Sequence, residues 1–91
     1  MSAEAKAAMT RLRQLMAADT YGVEPPELMA LADQAVAVIH DEAVRKKVAD
    51  ALIGAMTVVR FAGTFGTDPE PGRKQALSIL DLLEQAPADD T

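Results

Sequence analysis

The chain has 91 residues, 49% of them hydrophobic, a formal net charge of −5 and no cysteine. This describes one domain with a thin core, and it excludes disulfides and thiolate metal sites. The negative balance argues against direct nucleic-acid binding, which needs clustered Lys and Arg.

Eighteen residues are alanine, and only Tyr21, Phe61 and Phe65 are aromatic. Alanine favours helix but buries little area, so helices form readily while cohesion between them is scarce. A partner that covers one more apolar face is a natural remedy. The start, Met-Ser-Ala-Glu-Ala-Lys, lacks the apolar core of a secretory signal. The longest charge-free run in the middle of the chain, Ala51 to Val59, is nine residues, too short to span a bilayer. The expectation is a soluble, cytoplasmic protein with no membrane partner. An alanine-rich, cysteine-free composition is also common in GC-rich bacteria and their phages.

The first helix is predicted from Ser2, a competent N-cap, to about Asp19. Ala5, Ala8, Met9, Leu12, Leu15 and Met16 form its apolar stripe at helical spacing. Asp19-Thr20-Tyr21-Gly22 ends it. The second helix begins near Pro25, because a proline in the first turn removes an N–H that has no acceptor anyway. Leu28, Leu31, Ala32, Ala35, Val38 and Ile39 make its inner face.

From Ile39 to Val44 is five residues, about 140° around a helix, so a straight continuation would turn its second half away from the core. A break at His40-Asp41 resolves this, with Asp41 as N-cap. Asp41–Arg45 and Glu42–Lys46, each with the acid first, instead support one continuous long helix; the phase argument favours the break. The third helix presents Val44, Val48, Ala51, Leu52, Ala55, Val58, Val59 and Ala62.

Residues 63–72, with three glycines and two prolines, read as a loop. Asp68-Pro69 offers an alternative helix start within it. The last helix is predicted from Arg73 to Gln85. Its Ala76, Leu77, Ile79, Leu80, Leu82 and Leu83 spread over roughly 220°, wider than one core-facing stripe. No run alternates apolar and polar residues as a strand would. The expected fold is therefore all-α, a compact antiparallel four-helix bundle over residues 1–86 with a flexible tail at 87–91.

No chemistry-bearing motif emerges. His40 is the sole histidine, and Asp41 and Glu42 beside it diverge by about 100° per residue on a helix. A Glu-x-x-His metal pair would need an acid at position 37, where Ala37 stands. Ser78 lacks a nucleophile elbow. Gly63-Thr64-Phe65-Gly66 lacks the Lys-Ser/Thr of a phosphate loop. Arg45-Lys46-Lys47 sits among Asp41, Glu42 and Asp50, as on a solvated face. No catalytic residue, metal ligand or cofactor site is expected.

What remains is hydrophobic surplus. Ile53 falls among polar neighbours, Phe61 lies off the stripe of the third helix and Phe65 lies in the loop. Leu77 and Leu82 bound the wide arc of the last helix. These five are the candidate partner-binding residues. The reading is a non-enzymatic helical interaction or regulatory protein that self-associates as a homodimer and binds another protein. Two alternatives stand beside it. One is an acidic inhibitor or mimic acting on a nucleic-acid-binding protein, and the other is a small hydrophobic ligand carrier.

Overall fold

A computed structural model describes residues 3–17 and 25–85. It contains four helices: α1 (Ala3–Ala17), α2 (Pro25–Val36), α3 (Glu42–Phe65) and α4 (Glu70–Gln85). There is no strand among the described residues. The Ser2 cap, the Asp19–Gly22 turn and the C-terminal tail lie outside the described residues.

The helices close into an antiparallel four-helix bundle, in which α1 packs on α2, α2 on α3, α3 on α4 and α4 on α1. The seams fix the directions. Gly72, early in α4, meets Ala55 and Val58 of α3, whereas Leu82 and Leu83 at its far end share a groove with Lys47 and Val48.

The α1 stripe is buried as its periodicity predicts, from Ala5 to Met16. Met9, Leu12 and Met16 of α1 share one core with Leu52, Met56 and Leu80, all fully buried. Alanines such as Ala32, Ala35, Ala55 and Ala76 complete the core. Small alanines let helices approach, while flexible methionines fill the irregular gaps this leaves.

The predicted break is present, and no continuous helix joins α2 to α3. Asp41 Oδ1 accepts from the amides of Ala43 and Val44 at 2.9 and 3.1 Å, satisfying two of the four unpaired donors at the start of α3. α2 stops at Val36, three residues before the expected face runs out at Ile39, with Ile39 N–H donating to Val36 C=O at 2.9 Å. Val36 is consequently buried, and Val38 and Ile39 cover the core edge from the turn.

Two expectations require correction. The 63–72 loop shrinks to residues 66–69. Gly63 is tolerated inside α3, and Gly66, at φ 70°, ends the helix by donating to Ala62 C=O at 2.9 Å. Asp68 Oδ1 accepts from Glu70 N–H at 3.0 Å and starts α4, whose first turn holds Pro71 at no cost in hydrogen bonds.

The buried face of α3 is also rotated from the expected one by roughly 50° at 100° per residue. It comprises Ala49, Leu52, Ala55, Met56, Val59 and Ala62, and leaves Val44 and Val58 exposed. α3 is apolar around much of its girth, and its phase is set by where α2 and α4 dock.

α3 is the one described helix long and apolar enough to cross a membrane, with mean hydropathy 1.4 over its most apolar stretch. A core helix of a bundle meets the same test. Here a third of that stretch is buried inside the bundle.

Candidate partner-binding face

The rotation of α3 turns part of an expected core face outward. On the flank of the α3–α4 pair away from α1 and α2, the residues Lys47, Ala51, Gly54, Val58, Phe61 and Phe65 follow one another at spacings of four, three, four, three and four. That alternation keeps one narrow stripe along a helix. Val58 is 46% exposed, Phe61 50% and Phe65 70%. The rings of Phe61 and Phe65 lie 5.7 Å apart at 51°, one helical turn from each other, so they form a single aromatic end to the stripe.

α4 contributes the other wall. Ile79, Leu82 and Leu83 join Ile39, Val48, Ala51 and Lys47 around an open groove of about 330 Å³ whose only charged lining residue is Lys47. Leu82 is 67% exposed, the most exposed residue of this wall among the large hydrophobics. Exposed apolar side chains scattered singly are ordinary; three along one stripe of α3, two of them aromatic, are not.

The five sequence candidates therefore divide. Phe61, Phe65 and Leu82 lie on this flank. Leu77 lies on the opposite edge of α4, half-buried against the core, and Ile53 leans on the core from the α2 side. The wide arc of α4 is thus mostly consumed within one chain: Ala76, Leu80 and Leu83 point inward, Leu77 and Ile79 flank them, and Leu82 alone stands clear. Gly54 and Val58 were missed as surface residues. Their signal, the heptad-like spacing, becomes visible only once the face of α3 is rotated.

The other edge of α4 is polar and closed. Arg13 of α1 donates from Nε and Nη2 to Glu84 at 3.1 and 2.8 Å and also pairs with Asp81. Hydrogen bonds that the guanidinium donates to Glu84 first and Asp81 second hold its pKa above the ordinary value.

A second groove of about 440 Å³ lies between α2 and α3, lined by Met29, Asp33, Val36, Arg45, Asp50 and Ile53 among others. It mixes both signs of charge. His40 is exposed in the α2–α3 turn, with its carbonyl accepting from Arg45 at 3.4 Å, and Ser78 is exposed on α4. Among the described residues no group of three or more His, Asp or Glu could hold a metal ion. No family model matches the chain, and neither a curated protein nor a solved structure matches it.

Proposed function

We propose that this is a non-enzymatic, cytoplasmic helical interaction protein that self-associates through the outer flank of α3 and α4 and regulates a protein partner. One observation carries the reading. Val58, Phe61, Phe65 and Leu82 are about half to two-thirds exposed along one flank of the α3–α4 pair, and they are four of the six exposed large hydrophobics among the described residues. Fully burying a Leu or Phe side chain is worth roughly 1.5–3 kcal/mol, and a two-fold contact gains each such burial twice. In a chain this short, that is a large share of the cohesion available.

Sedimentation equilibrium tests the proposal. The 9.7 kDa chain is expected to sediment as a dimer at micromolar concentration. The double variant Phe65→Ser/Leu82→Glu is expected to be monomeric with an unchanged helical circular dichroism spectrum. Leu77→Glu is the contrasting control: its side chain packs half-buried against the core on the opposite edge of α4, so it should lower thermal stability instead. A wild type that stays monomeric at high concentration overturns the reading.

A further inference from the structure

The stripe on α3 has a property that its exposure alone does not require. Read along the helix it runs from small to large: Ala51 and Gly54, then Val58, Phe61 and Phe65, with Lys47 at the small end. Reversed and laid on itself about a point between Gly54 and Val58, it is complementary in size. Val58 falls opposite Gly54, Phe61 opposite Ala51 and Phe65 opposite Lys47. A Cβ built on Gly54 meets nothing within 4 Å, so the hollow there is open to receive a side chain from outside.

Of the charged residues at the start of α3, Lys47 alone belongs to the stripe, and it stands exposed at its small end. An antiparallel pairing lays the Lys47 ammonium near the Phe65 ring, where a cation is attracted by the ring face. A parallel pairing would set Lys47 on Lys47 and Phe61 on Phe61, leaving Gly54 facing Gly54 across a gap. Leu82 also fits the antiparallel choice. It shares its groove with Lys47, so it stands at the level of Phe65 in a reversed second copy.

The area suffices. From residue 47 to residue 65 the strip is about 27 Å long at 1.5 Å per residue, and two packed helices make it about 18 Å wide. Two copies would bury about 1,000 Å², the lower bound for a specific interface.

We infer that the outer flank of α3 and α4 is the seat of a second copy of this chain, bound two-fold with the α3 helices antiparallel and Gly54 receiving Val58. The inference rests on the self-association proposed above and adds its direction and register.

The absence of cysteine makes the test clean. Ala51→Cys and Phe61→Cys are made as separate proteins, and Gly54→Cys and Val58→Cys as a second pair, each checked for helical content and for dimer by sedimentation. On mild oxidation, equimolar mixtures of 51 with 61, and of 54 with 58, are expected to cross-link most of the chain. The 51 and 61 proteins alone are expected to stay uncrosslinked, because in this register two copies of residue 51 are about 15 Å apart along the axis, beyond disulfide reach. Cross-linking of 51 to 51 or 61 to 61 would mean parallel helices. That result, or a wild-type dimer whose mixtures fail to cross-link, overturns the register and leaves self-association standing. A monomeric wild type overturns both.

Discussion

Two glycines of the α3–α4 pair occupy opposite circumstances. Gly72 is buried in the seam, where an added Cβ would lie 2.7 Å from the carbonyl oxygen of Ala55 and 2.9 Å from Val58. Gly54 is exposed, with open space where its Cβ would be. Glycine within a helix costs about 1 kcal/mol relative to alanine. At Gly72 that cost is offset by a closer approach of two helices, seen directly. At Gly54 nothing within the chain offsets it. The same residue type thus marks a satisfied contact on one side of α3 and an unsatisfied surface on the other.

The largest expected effect is at the seam. Gly72→Ala should destabilise the fold by about 2 kcal/mol, since backbone and a β-branched side chain must both give way. In a domain of this size that lowers the thermal midpoint by about 10 °C. A neutral outcome in a thermal melt would mean that the helices separate easily, and the contrast between the two glycines would lose its basis.

Gly54→Ala should act in the reverse direction and more weakly. At concentrations low enough to keep the chain monomeric, it should stabilise folding by about 1 kcal/mol in urea titration, the helix propensity gain alone. The same variant should weaken self-association, because its methyl fills the hollow assigned to Val58. A variant that folds no better than wild type would show that Gly54 already has a role within the single chain.

The sequence makes the helices legible because their signals are local. The α1 stripe, the proline start of α2 and the Asp41 cap each follow from spacing or from one side chain's hydrogen bonds. The sequence makes the loop at 63–72 too long because Gly63, Pro71 and Gly72 count as breakers only out of context. Pro71 is harmless in a first turn, and Gly72 is required by a neighbour some 15 residues away in sequence. The rotation of α3 was not legible for a related reason. A helix with apolar residues on both flanks has no unique inner face until its neighbours dock, so Val58 reads as core and Ile53 as surplus. The candidate site was half legible: Phe61, Phe65 and Leu82 stood out by size and phase, while Leu77 and Ile53 are absorbed into the bundle.

The smallest expected effect concerns the closed edge of α4, the counterpart of the open edge at Leu82. Arg13 grips Glu84 through two nitrogens and also reaches Asp81, joining α1 to α4 near their C-terminal ends. The geometry is favourable, because a guanidinium matches a carboxylate with two parallel hydrogen bonds. Yet both acids are about half exposed and Arg13 is itself a third exposed, so water screens the pair. Exposed pairs are worth at most about 1 kcal/mol. A double-mutant cycle with Arg13→Ala and Glu84→Ala should therefore return a coupling of about 0.5 kcal/mol at low salt. In 1 M salt, where charges are screened within about 3 Å, most of it should vanish. Titrating Arg13 offers no handle, since its guanidinium stays charged at any pH the fold survives. A coupling several times larger and insensitive to salt would mean that this edge is held by the ion pair. Apolar burial by Leu77 and Leu80 alone would then be too weak an account of why α1 closes one side of α4 and leaves the other open.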